Sequence, residues 1–224
     1  MSPDVSHDIL VFAHVILFVY WLGPDWGVWV TSHYIAKPGL PADERRRFLA
    51  AMLKIDLLPR SCLIVLPALG LQLAANLGMS PVTGGWLAAF WAFSIGWLVV
   101  SWLVYLRKGP LAGDLLRRLD NGVRYLVAPA FILSGCYSLA TGAWFGSNWL
   151  ALKVAIYGVI VALGLILRSF VGLWVTGFQR LAVEGPKAEI DTLFSDALAR
   201  SKPVVYVFWG CSALMAFLGI VKPF

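Results

Sequence analysis

Apolar residues along this chain come in runs long enough to cross a bilayer, and polar residues collect in short segments between them. A helix of about 20 predominantly apolar residues spans the hydrocarbon core. By that measure the pattern predicts six spans, over residues 9–35, 57–77, 86–106, 123–144, 149–175 and 203–221. Each is expected to be helical, because an open strand cannot satisfy its backbone in lipid. The fold class that follows is all-α, a polytopic transmembrane helical bundle, with residues 1–224 forming a single integral membrane domain. An amphipathic stretch, Pro41-Ala-Asp-Glu-Arg-Arg-Arg-Phe48, precedes the second span, and Asp43 and Glu44 suit the first turn of a helix. The second and fifth helices are therefore expected to project beyond the membrane.

Composition agrees: 60% of residues are apolar and 13% are charged. The first residues, Met-Ser-Pro-Asp-Val-Ser-His-Asp, are acidic, and the apolar run behind them is too long for a cleavable signal sequence, so a retained first span is expected. The net charge of +6 does not indicate a nucleic-acid partner, because Lys and Arg fall in the connections, where they mark topology. Lys37, Arg45, Arg46, Arg47 and Lys54 lie between spans 1 and 2, and Arg107, Lys108, Arg117, Arg118 and Arg124 between spans 3 and 4. Arg180, Lys187, Arg200 and Lys202 lie between spans 5 and 6, whereas the opposite side holds only Lys153 and Lys222. The positive-inside rule then puts the three basic connections in the cytoplasm and both termini outside. Cys62, Cys136 and Cys211 sit in separate apolar segments without a Cys-x-x-Cys, which indicates core packing rather than a zinc site or disulfide framework.

There is a weak internal echo. Asp56-Leu-Leu-Pro-Arg60, followed by Pro67 and Gly70, resembles Asp120-Asn-Gly-Val-Arg124, followed by Pro129 and Gly135. A duplicated hairpin, about residues 9–77 and 86–144, would account for it.

The polar residues inside span 1 raise the question of chemistry. Helical spacing puts His14, Phe18, Trp21, Asp25 and Ser32 on one face. Pro24 is expected to kink the helix, and Gly23 and Gly27 to admit a neighbouring backbone. Asp25 falls about 24 Å along the helix from Ile9, in the inner third of the membrane, where a carboxylate needs a partner. Arg60 is the first candidate, with Arg124 and Arg168 behind it; a register-fixing pair and a proton path or propionate site both suit the position. His14 and His33 are roughly 28 Å apart along a straight helix, so they cannot share one metal, and His33 more simply marks the interface. More simply, His14 is a hydrogen-bonded histidine between helices. With three histidines in the chain, a haem would need a single His ligand, a non-His second ligand or another subunit. The eleven tryptophans can be read as a porphyrin or quinone pocket, or more simply as interfacial belt and packing residues. No phosphate loop, catalytic triad or zincin spacing is present.

His14 followed by Trp21 and Gly23, Pro59 with Gly70, and Trp149-Leu-Ala-Leu-Lys153 resemble motifs of the bacterial HemJ-type membrane protoporphyrinogen oxidases and the related CopD-like membrane proteins. The resemblance covers about 90 residues in three pieces; an additional hairpin, about residues 84–146, separates the second from the third. It implies a multi-pass protein of the bacterial inner membrane in which His14 ligates haem b and Lys153 is a nearby cationic partner. On this reading the chain binds haem b or a porphyrin and works in membrane redox chemistry, as electron transfer or porphyrinogen-type oxidation. His14 would be the metal ligand, Trp21 and Lys153 would contact the cofactor, and Asp25, Arg60 and Lys153 would carry the catalytic chemistry. A small permease for copper or another solute is an alternative, weakened for copper because the four methionines do not cluster. A non-catalytic anchor of a larger membrane complex, or a homo-oligomer, is another.

Overall fold

The computed structural model describes residues 3–107 and 110–223, and Lys108, one of the basic residues counted above, lies outside them. The described residues form six helices and no strand: α1 (Pro3–Ile35), α2 (Ala42–Asn76), α3 (Gly84–Leu106), α4 (Pro110–Thr141), α5 (Asn148–Glu184) and α6 (Ala188–Val221). Five of them, α1, α3, α4, α5 and α6, are long and apolar enough to cross a membrane. The remaining helix, α2, carries Arg45, Lys54, Asp56 and Arg60 in the stretch up to residue 60 and is mostly buried or half-buried among its neighbours beyond it. It runs antiparallel to α1 through the same thickness, with Ile55 beside Gly27 and Gly70 beside His14.

Helix ends differ from the hydropathy reading where tertiary burial overrides it. The sixth span, expected from Pro203, begins at Ala188 and runs through Pro203. Glu189 and Asp191 suit its first turn, and Ile190, Phe194, Ala197 and Leu198 form an apolar stripe that packs against Ile35, Met52 and Trp174. Helices α2 and α5 extend beyond the apolar spans read from hydropathy, and α6 does the same. The fifth helix stops at Gly185, whose φ of 73° is open to glycine and lets its N–H reach the Leu181 carbonyl at 3.2 Å. The expected Cys packing holds for Cys62, which is buried in the core, but Cys136 is exposed on α4.

Close backbone approach was expected at Gly23 and Gly27, and the structure puts it elsewhere. A Cβ on Gly23 would meet nothing within 4 Å, and one on Gly27 would make only ordinary contact with Ile55 at 3.4 Å. A Cβ on Gly158 would instead fall 2.6 Å from the Ala128 carbonyl oxygen, and one on Gly135 would fall 2.5 Å from the Ala155 amide nitrogen. Helices α4 and α5 therefore touch backbone to backbone, the packing that small residues permit where lipid offers no hydrophobic drive between helices. The α1–α2 and α5–α6 pairs are also extensive, whereas α3 touches α2 and α4 sparingly.

Two ends of the bundle can be distinguished. Met79 of the α2–α3 loop receives the Gly146 N–H of the α4–α5 loop, His14 meets Gly70, and Lys153 meets Gly219. The start of α1 and the end of α6 thus share one end, here called the terminal end. The other, basic end holds the α1–α2 and α5–α6 loops, joined where Asp191 accepts the Gly39 N–H at 3.0 Å. Arg45 locks that end. It is 1% exposed, donates to the carbonyls of Ile35, Lys37 and Leu40, pairs with Asp191, and stacks over Phe194.

A leucine at Gly158 should force α4 from α5 and cost roughly 1–3 kcal/mol or more. Thermal unfolding in detergent should show a clear drop for Gly158→Leu and little change for Gly164→Leu, where nothing lies within 4 Å.

Candidate functional site

At the terminal end three basic side chains from three parts of the chain converge. His14 comes from the first half of α1, Lys153 from the first turns of α5, and Lys222 from the residue after α6. The glycines opposite them make the room. A Cβ on Gly70 would lie 3.3 Å from His14 Cε1, and one on Gly219 would lie 2.7 Å from Lys153 Nζ, so each side chain rests against bare backbone. The His14 Nδ1 atom is buried and makes no hydrogen bond. The Lys153 charge is close enough to act on the imidazole. Lys153 and Lys222 also act on each other, and their ammoniums stand 6.0 Å and 5.6 Å from the centre of the Trp149 ring. Among the described residues, neither lysine forms an ion pair.

The residues expected around Asp25 are arranged differently. Asp25 accepts a hydrogen bond from Trp209 Nε1 at 2.6 Å, and Arg60 pairs with Asp56 one turn away on its own helix. The expected Asp25–Arg60 pair is not formed, although Asp56, which acts electrostatically on Asp25, brings both into one neighbourhood. Trp21, expected at a cofactor, is 2% exposed and sits edge-on to Phe18 and Phe208 in the central core. It packs in one cluster with Leu63, Ile64 and Phe208.

A second polar layer lies towards the basic end. Asp120 is 0% exposed and receives Arg168 Nη1 at 2.6 Å, Trp97 Nε1 at 2.8 Å and the longer Arg124 Nε contact at 3.4 Å. Arg168 also donates to Asn121 at 2.7 Å, and Arg124 stacks over Trp97. Arg60 is near enough to act on both other arginines. With Asp25, Asp56 and Asp120 against Arg60, Arg124 and Arg168, this layer is formally neutral. Along α2 it stands ten residues from Gly70, about 15 Å from the terminal-end cluster, with Ile64, Tyr157, Ile160 and Val161 packed between. The Tyr157 hydroxyl in that partition is satisfied by the Leu63 carbonyl at 3.0 Å.

Arg124 and Arg168 were accessible to sequence reasoning as alternative partners for Asp25, and Asp120 with Arg124 as half of the internal echo. Both echoed Asp-x-x-x-Arg motifs do form ion pairs within a helix turn. The joining of Asp120 to Arg168 across helices had no local signal, nor did the role of Lys222. Among the described residues no group of three or more His, Cys, Asp or Glu is assembled to hold a metal ion. A haem iron, which brings its own ring nitrogens, needs only one or two protein ligands, and a lone imidazole beside unpaired ammoniums fits the donor set of haem and its carboxylates. No protein-family model, curated protein or solved structure matches the chain significantly.

Asp120→Asn should leave two guanidiniums in the bundle without their carboxylate, at a cost of roughly 3–5 kcal/mol. Adding Arg168→Gln should recover part of that loss, and a double-mutant cycle in detergent unfolding measures the coupling.

Proposed function

We propose that this chain is a multi-pass protein of the bacterial inner membrane that binds haem b or a related porphyrin and takes part in membrane redox chemistry. The observation that carries the reading is the contrast in charge between the two polar layers. The layer near the basic end balances its arginines with carboxylates. The terminal-end set of His14, Lys153 and Lys222 has no carboxylate partner among the described residues; Lys222 is exposed, but the half-buried His14 and Lys153 are basic groups inside an apolar bundle, and that arrangement calls for an anionic ligand. The resemblance to the HemJ-type oxidases through His14 and the Trp149–Lys153 motif adds the imidazole ligand to that anion site.

Bound haem would supply one-electron chemistry at its iron. The work of the chain is holding and isolation. His14, fixed against Gly70, presents an imidazole nitrogen, and a hydrogen-bonding group on the bound molecule or a water would relieve its buried Nδ1. Lys153 and Lys222 would bind carboxylates beside Trp149, as ammonium point charges. Trp21 and the Ile64–Tyr157 partition exclude water between this site and the arginine layer. Asp25, held by Trp209, and the Asp56–Arg60 pair beyond that partition would hold or move protons on the basic side.

A small-solute permease is the second reading, favoured by the presence of polar layers on both sides of an apolar partition. It predicts solute flux through reconstituted vesicles with no bound pigment.

Protein expressed with haem supply should purify with a Soret band. His14→Ala should abolish or shift the band, and Lys153→Ala combined with Lys222→Ala should weaken haem retention while leaving the band position near that of the wild type. A colourless wild-type protein, or an unchanged spectrum for His14→Ala, overturns the reading.

A further inference from the structure

At the basic end a cavity of about 400 Å³ opens between the end of α1 and the first half of α6. From α6 it takes Leu198, Ala199 and Lys202, which follow helical spacing on one face, and from α1 and its exit it takes His33, Tyr34 and Lys37. Its surface is mostly apolar, its charged groups are the two lysines, and no carboxylate lines it. Asp191 stands near the same loop, but its oxygens are engaged by Arg45 and by the Gly39 N–H. Neither Lys37 nor Lys202 forms an ion pair among the described residues.

The end of a helix ordinarily repels anions, because its last carbonyls carry partial negative charge. Here Arg45 donates to the carbonyls of Ile35 and Lys37, which takes up part of that negative charge, and its own charge is balanced by Asp191. The His33 ring is held by its Nδ1, which donates to the Trp29 carbonyl at 2.9 Å, and packs edge-on against Trp29. Tyr34 is stacked on Phe48 at 4.8 Å. The cavity thus has ordered aromatic walls, an apolar floor and two unpaired ammoniums, at the depth where α1 leaves the apolar span. Aromatic residues of this kind collect at the headgroup level, and basic pockets between helices on the cytoplasmic side take anionic headgroups.

We propose that this cavity binds the phosphate headgroup of an anionic phospholipid, with Lys37 and Lys202 as its cationic partners and the apolar floor receiving the start of the acyl chains. The site is independent of the terminal-end cluster.

Native mass spectrometry of the full chain, titrated with phosphatidylglycerol or phosphatidylcholine, tests it. The wild type should bind phosphatidylglycerol preferentially, and Lys37→Gln with Lys202→Gln should weaken that binding roughly 30-fold, taking each lysine at its usual worth near a charged headgroup. Arg200→Gln removes an exposed charge from the same helix outside the cavity and should leave binding unchanged. The paired Lys→Arg variant should retain it, which separates loss of charge from loss of fold. Equal binding of the two lipids, an unaffected Gln double variant, or an equal effect of Arg200→Gln would overturn the proposal. Displacement of phosphatidylglycerol by inorganic phosphate at equal concentration would overturn its assignment to a lipid.

Discussion

Asp120 has no exposed surface and is the acceptor for an indole on α3, a guanidinium on α4 and another on α5. In a bilayer an unpartnered charge is costly, and a guanidinium that has lost its carboxylate cannot turn to water. Placing one carboxylate where three helices meet therefore fixes their mutual rotation. The backbone contacts at Gly135 and Gly158 act on the same pair of helices, and they too tolerate little sliding. Between them, these features make α4 and α5 the rigid centre against which α3 and α6 are set, while α1 and α2 form a second closely packed pair.

Against that balanced layer, the terminal-end cluster stands out by what it gathers. Three basic groups meet there although they are far apart in sequence, and glycines on the facing helices are what let them approach. A bundle selected only for packing would place larger residues at positions 70 and 219, gaining contact area and avoiding buried positive charge. The apolar residues around Tyr157, with Ile64, Ile160 and Val161, pack between the two polar layers and leave them as separate clusters.

The helical architecture was legible because hydropathy and helix-terminal chemistry act locally. The spans expected over 86–106 and 149–175 lie within α3 and α5, and the basic extension before the second span proved to be continuous helix. What failed were boundaries decided by distant contacts. Pro203 looks like a start signal, but the stripe from Ile190 to Leu198 is buried against α1, α2 and α5 and carries the helix back to Ala188. The Gly23 and Gly27 pair has small-residue spacing, yet spacing on one helix does not say which neighbour comes close; Gly135 and Gly158 earned that position through register between α4 and α5. The same limit applies to the sites. His14, Lys153, Asp25 and Arg60 could be picked out as polar residues in apolar runs. The pairing of Asp25 with Trp209, and of Asp120 with Arg168, depends on helix rotation that no single segment encodes.

Arg45 bears on how the chain is made. Its partner Asp191 lies 146 residues further on, and Asp191 also holds Gly39, so the first loop cannot be completed until the last helix has left the ribosome. Synthesis delivers the α1–α2 hairpin early, and the long-range contact forms last. During that interval a guanidinium that ends 1% exposed must stay hydrated at the membrane surface. The basic end is thus sealed as a finishing step of assembly, and a chain truncated before α6 would insert its earlier helices yet leave the α1–α2 turn open.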